Sequence, residues 1–404
     1  MSNNSALKGI RVADFGHVLA GPYCSMLLST LGAEVIKIET RARPDEQRAQ
    51  HGAGDVSDLE SNSNFLEVNL NKLSVSLNLT TDEGKELARQ IVAVSDVVVE
   101  NMRPGVMDKL GLGYEDLVKV KPDIIMIALS GFGQTGPLRT YSAYNPCFTS
   151  VGGLAHLCGY PEKKPNTMNN SGGDARAGNA GVFSVLMALN MRQRTGQGQY
   201  IDQSSCEVIN SMVGDQMMDY AMNRRSPKRT GNRDAVMAPH NCYRCKGDDA
   251  WISIAVSTEA EWQALCEAMG QPQWRDDDAF ASAMSRLQNQ TRLDELIQAW
   301  TIEHDAVDLM RRLQALGVPA MPSFKAEQLF NDAHMLETGA VVEVRHPVLG
   351  KRKTITPPWR LSETPATFHT TAPLLGEHND YVFTQLLKLP EAKIARLMEE
   401  KVIY

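Results

Sequence analysis

The chain has 404 residues, 43% of them hydrophobic and 22% charged, with a net charge of −7. That describes a globular protein with a substantial core and room for two domains. The acidic balance offers no basic footprint for nucleic acid. The N-terminal residues lack a signal-peptide core, and no apolar run approaches the roughly 18 residues of a membrane span, so a soluble, cytoplasmic protein is expected. The seven cysteines (Cys24, Cys147, Cys158, Cys206, Cys242, Cys245 and Cys266) are odd in number and scattered, which suits a reducing compartment better than a disulfide framework.

Residues 10–15 form a short apolar run that ends in Gly16-His17-Val18-Leu19-Ala20-Gly21-Pro22. Residues 23–31 have helical character and stop at Gly32, a natural helix end. Glu34–Glu39 alternates as a strand should. This is strand, loop, helix, strand, the unit of a parallel sheet. The theme repeats. Thr80 and Glu83 have capping-box spacing ahead of a helix reaching about residue 94. Residues 96–100 and 124–129 read as buried strands, with a loop and helix over 104–120 between them.

The segment GFGQTG (131–136) follows the last of these strands and formally matches G-x-G-x-x-G. A dinucleotide cradle must open a helix and be followed by an acidic residue about 20 positions on. Here Pro137 follows at once, and no acidic residue comes before Glu162. The loop still lies at the carboxyl end of a strand, the edge where open α/β sheets bind ligands.

A long helix is expected over 178–194, a strand over 200–203 and a Met-rich helix over 206–223. The basic stretch 223–233 reads as a solvated linker. Beyond it, 243–245 and 251–256 flank a turn as a hairpin, helices fill 259–316, and 341–344 with 353–356 form a second hairpin around Gly350. Two helices close the chain. The expected division is a large domain over 1–222, a small inserted domain over 223–318, and a segment 319–404 that partly returns to the large domain.

The most unusual stretch is Asn-Asn-Ser-Gly-Gly-Asp-Ala-Arg-Ala-Gly, residues 169–178. Asp174 follows two glycines and precedes an apolar helix. Glycines let backbone approach a ligand and free amide N–H groups, and a helix N-terminus adds positive potential. Asp at such a place is also an ordinary cap. His17, in the first loop after a strand, is a candidate contact. Cys242 and Cys245 form a C-x-x-C without the further Cys or His pair a zinc site needs, so no metal is expected. Neither a G-x-S-x-G elbow nor a Walker A motif is present.

Taken together, GHVLAGPYCSMLLSTLGAEVIKIE, NLNKLSVSLNL, VENMRPGVMDKLGLGYEDL, SGFGQTGP, the GGD before a helix, RTGQGQYID, GVPAMP and APLLGEH resemble the class III coenzyme A-transferases. This is the CaiB/BaiF group, which includes formyl-CoA transferase and carnitine CoA-transferase. The resemblance runs from near residue 6 to the C-terminus.

It implies a Rossmann-like large domain with a parallel sheet, a smaller α+β domain, and an interlocked dimer. CoA thioesters would be substrates, with no permanently bound cofactor. The partners would be an acyl-CoA, a small organic acid, and a second copy of the chain or a related subunit. Asp174 matches the family's nucleophile, whose carboxylate attacks the thioester. Amides near Gly172 and Gly173 would serve the oxyanion. By position Ala20, Lys72, Asn101, Met102, Arg103 and Lys109 resemble CoA-holding residues. Arg41 lies next to a position where the family often has arginine. Where formyl-CoA transferase has a glutamine and a glutamate, this chain has Leu19 and Asn145, which implies a larger or more apolar acyl pocket. His17 and Tyr144 are expected there too. The related racemases place a histidine near Tyr144. A tyrosine, titrating near ~10, is a poor substitute base, which favours transfer over racemisation. A non-catalytic CoA-binding subunit is the remaining alternative, and the presence of Asp174 argues against it.

Overall fold

The computed structural model describes residues 5–48, 59–168 and 172–404. Six strands among them build one parallel sheet: β1 (Arg11–Asp14), β2 (Glu34–Glu39), β3 (Lys72–Ser76), β4 (Val97–Glu100), β5 (Ile125–Ser130) and β6 (Tyr200–Ser204). Their order is β3-β2-β1-β4-β5-β6. The central strands are near-continuous apolar runs because helices cover both faces. Val97, Val98, Val99, Ile125 and Ile127 are all fully buried. One face carries Ala13, Ile36, Val75, Val98 and Met126 and packs on the helices Asp82–Ala93, Tyr114–Val120 and Glu391–Glu399. The other carries Val12, Val35, Val99, Ile127 and Leu129 and packs on Ala20–Thr30 and Gly172–Thr195.

The chain winds outward from β1 to β3, then returns to start β4 on the other side of β1. That reversal opens a crevice beyond the carboxyl ends of β1 and β4, where such sheets hold ligands. The loops at its rim are 15–19 and 101–105.

Two compact units result. The first comprises the sheet with residues 167–226 and 333–404. Its C-terminal part lies along β3, where His378 N donates to Ser74 O and Leu77 bridges Ile403. The second comprises residues 156–166 and 227–332, against an expected 223–318: its main segment starts four residues later and ends at 332, and it takes in the separate piece 156–166. It holds an antiparallel sheet, β7 (His240–Arg244), β8 (Trp251–Ala255) and β9 (Ala320–Pro322). Trp262, Leu265, Phe280 and Leu313 pack with Tyr243, Ile252 and Ile254 in its core. The expected second hairpin is β10 (Val341–His346) with β11 (Gly350–Ile355), and it belongs to the first unit.

Three local expectations need correction. The cap of the helix Asp82–Ala93 is Thr81, whose hydroxyl accepts from Gly84 N, while Thr80 turns back to Asn78. The single Met-rich helix is two, Ser205–Met212 and Gly214–Asn223, broken at Val213. The long helix begins at Gly172 rather than residue 178, which places Asp174 inside its first turn. No helix among the described residues is long and apolar enough to cross a membrane.

Candidate active site

Asp174 sits in the first turn of the 24-residue helix Gly172–Thr195. Of the unusual stretch before it, residues 169–171 lie outside the described residues. Burial pushes its carboxyl up to about 6, against the opposing pull of its own backbone N–H. The helix is seated by close approach to Ala20–Thr30. A Cβ at Gly178 would fall 2.8 Å from Tyr23 Cδ1 and 3.1 Å from the Ala20 carbonyl oxygen. Gly178 is four residues after Asp174, hence on the same helix face. The carboxylate therefore lies one turn from the point where its helix meets Ala20.

Asn145 fixes the start of that helix. Its Oδ1 accepts from Gly173 N at 2.8 Å, and its Nδ2 donates to Met168 O at 2.9 Å. The side chain thus ties together both ends of the segment that precedes Asp174. The Gly173 amide, expected to serve an oxyanion, is already occupied by Asn145. From β6, Gln203 Nε2 donates to Ala177 O at 2.7 Å and steadies the next turn.

The crevice loop is built by hydrogen bonds to its backbone. Asn101 Oδ1 accepts from His17 N and its Nδ2 donates to His17 O, both at 2.8 Å. Burial, then the positive Lys37, pulls the His17 imidazole below its usual range and favours the neutral form. Ala20 is buried at the start of its helix, and Leu19, half-buried, is the residue before it. Met102 donates its N–H to Glu100 Oε2 at 2.7 Å.

Lys72 departs from expectation. Its ammonium is fully buried and donates to Asp14 Oδ2 at 2.9 Å, Pro22 O at 2.9 Å and Asn69 Oδ1 at 2.8 Å. All three N–H donors are committed, so none is left for a CoA phosphate. Beside it lie two more buried arrangements that the sequence does not reveal, Lys37 with Asp45 and Arg48 with Glu39. Arg103 and Lys109 are the opposite case. Both are exposed, and neither side chain has a hydrogen-bond or ion-pair partner among the described residues. Arg41 is also exposed. Tyr144 is 63% exposed and immediately precedes the helix Asn145–Val151.

GFGQTG is no helix cradle. It turns at Gly133, whose φ of +82° is strained for any residue with a side chain, and it is tied to β6 by Gln134 N donating to Asp202 Oδ1 at 2.8 Å. A cavity of about 460 Å³ is lined by Glu100, Arg103, Tyr114, Gln134, Arg139 and Tyr200, among others. Its lining takes in Arg103, Pro104 and Gly105 of the second rim loop, and does not include Asp174, His17 or Leu19. Cys242 and Cys245 do not form a pair: Cys242 faces Ser323 at 3.9 Å, while Cys245 belongs to the core of the second unit. No group of three or more potential metal ligands occurs among the described residues.

Comparison with known proteins agrees with this architecture. The model of CoA-transferase family III matches residues 7–379. The chain is 36% identical over 400 residues to succinyl-CoA–D-citramalate CoA-transferase of Chloroflexus aurantiacus, covering 98% of both chains. It is 32% identical to the beta subunit of succinyl-CoA–L-malate CoA-transferase from the same organism, again covering 98% of both. A CaiB/BaiF family protein from Brucella suis superposes with a TM-score of 0.87 at 30% identity, over 95% of this chain and all of that one. The chain belongs to CoA-transferase family III, and it is an enzyme of that family.

Proposed function

We propose that this enzyme moves CoA from succinyl-CoA to a dicarboxylic acid through covalent intermediates on Asp174. The observation that supports the reading is the carboxylate itself, held in the first turn of a helix, one turn from where that helix meets Ala20. With its pKa near 6 it is largely ionised at neutral pH yet poorly solvated, a combination suited to a nucleophile.

The sequence of bonds follows. Asp174 Oδ attacks the donor thioester carbonyl, the C–S bond breaks, and CoA thiolate leaves an aspartyl-acyl anhydride. The thiolate attacks the aspartyl carbonyl and releases the donor acid, giving an aspartyl-CoA thioester. The acceptor carboxylate attacks that thioester, again expelling thiolate and forming a second anhydride. Thiolate then attacks the acceptor acyl carbon, yielding the new acyl-CoA and free Asp174. Each step exchanges one leaving group for one nucleophile, and no net proton is needed.

Arg103 and Lys109, exposed and uncommitted, would meet the CoA phosphates in this reading. Leu19, His17 and Tyr144 would shape the acyl pocket. Succinyl-CoA stands in the names of both Chloroflexus relatives, each with a dicarboxylic acceptor. Oligomerisation belongs to the same reading. Phe183, Met187 and Met191 are 64%, 51% and 46% exposed at four-residue spacing along one side of the Asp174 helix. Such a stripe favours cover by a second copy or by a related subunit, as in relatives named alpha and beta subunits.

The test is turnover of succinyl-CoA with a panel of dicarboxylic acids, reading new acyl-CoA species by mass, run in parallel in deuterated water. Transfer to one or more acids, with no deuterium at the α-carbon of recovered acyl-CoA, is expected. Deuterium incorporation without transfer would replace the reading by racemase chemistry.

A further inference from the structure

Val18 has φ of +64°. For a β-branched residue the left-handed region is a genuine outlier, and such a conformation persists only where the surroundings impose it. Here the imposing groups are identifiable. Three consecutive residues at the crevice are gripped by their backbone atoms. Lys37 Nζ donates to Gly16 O at 2.6 Å. Asn101 brackets His17 from both sides. Asp45 Oδ1 accepts from Val18 N at 3.0 Å. Asp45 and Lys37 are also bound to each other at 3.0 Å, and both side chains are fully buried. These side chains come from β2, from the loop after β2 and from the end of β4, so the grip spans the reversal in strand order.

The next residues explain what is being held. Leu19 precedes the helix Ala20–Thr30, and the Ala20 carbonyl oxygen meets the Asp174 helix at Gly178. The left-handed turn at Val18 therefore sets where Leu19 and Ala20 lie relative to the nucleophile.

We propose that Asp45 is a positioning residue: it holds Val18 in its left-handed conformation and thereby places Leu19 and Ala20 against the acyl-CoA donor. This rests on Asp174 being the nucleophile.

The experiment is a double-mutant cycle with Asp45→Ala and Val18→Gly. Glycine takes a positive φ without strain, so Val18→Gly alone should leave donor KM and kcat within about threefold of the native enzyme. Asp45→Ala should raise donor KM and lower kcat by about tenfold. The double variant should recover most of that loss, because the backbone no longer needs to be forced; coupling of about threefold or more is expected for groups in direct contact. A role confined to general stability would not be rescued at residue 18. Multiplicative losses, or native kinetics in Asp45→Ala, would overturn the proposal. If Asp45→Ala does not fold, the same cycle with Asp45→Leu, which nearly keeps the shape and offers no acceptor to Val18 N, is read for the same sign of coupling. Mass labelling of the native enzyme at Asp174 separates the two ideas. Labelling with an uncoupled cycle removes the clamp, whereas an absence of labelling removes the nucleophile reading.

Discussion

Lysines at two places in this chain show how a residue's role follows from where its charge ends up. Lys72 neutralises Asp14 beneath the crevice, and burial drops its pKa to about 8 despite that partner. Removing one member of a buried pair strands the other, at about 3–5 kcal/mol. Lys72→Met should therefore lower the unfolding midpoint sharply. Lys109→Ala should leave the midpoint unchanged and raise donor KM by about tenfold, the loss of one charge-assisted hydrogen bond. Thermal unfolding beside steady-state kinetics separates the two. Glu100 gives a pH signature. Burial, the largest influence, pushes its carboxyl up to about 8. The folded state thus keeps a proton that the unfolded chain releases near pH 4.5. Stability from this group is complete below that pH and is lost as pH rises toward 8. Glu100→Gln should flatten that decline, seen as a difference in denaturant midpoints growing from pH 5 to pH 8.5.

At the scale of elements, the alternating apolar and turn signals made the parallel strands legible. Ile10-Arg-Val-Ala-Asp-Phe15, EVIKIE and DVVVE each lie on or beside a strand of the sheet. What stayed hidden depends on distant contacts. β3 reads KLSVS, with only two apolar residues, and is a strand because Val35–Glu39 pairs with it. Asp174 could be singled out from two glycines and a helix start, but the carbonyl that its helix rests on could not. Asn145 was legible only as an expected pocket residue; its hydrogen bonds to Gly173 and Met168, 28 and 23 residues away, were not. Nor did anything local mark Asp45, whose partners lie 8 and 27 residues away. The seat of the nucleophile helix can be tested directly. Gly178→Ala places a Cβ 3.1 Å from a backbone oxygen that cannot step aside. An overpacking cost of about 1–3 kcal/mol is expected, with kcat falling more than KM rises as Asp174 moves with its helix.

At the scale of the whole molecule, the proposed assembly rests on the exposed apolar stripe Phe183, Met187 and Met191 along the Asp174 helix. Met187→Glu should shift the mass seen by light scattering toward a single chain and reduce turnover with it. An unchanged mass would place association elsewhere. The central claim remains the covalent role of Asp174. It is tested most directly by intact-protein mass after mixing with succinyl-CoA, with and without hydroxylamine, for the native enzyme and Asp174→Asn. An adduct of acyl or CoA mass that hydroxylamine removes and that Asp174→Asn never forms is the predicted result. An adduct that persists in Asp174→Asn, or full transferase turnover by that variant, would contradict it.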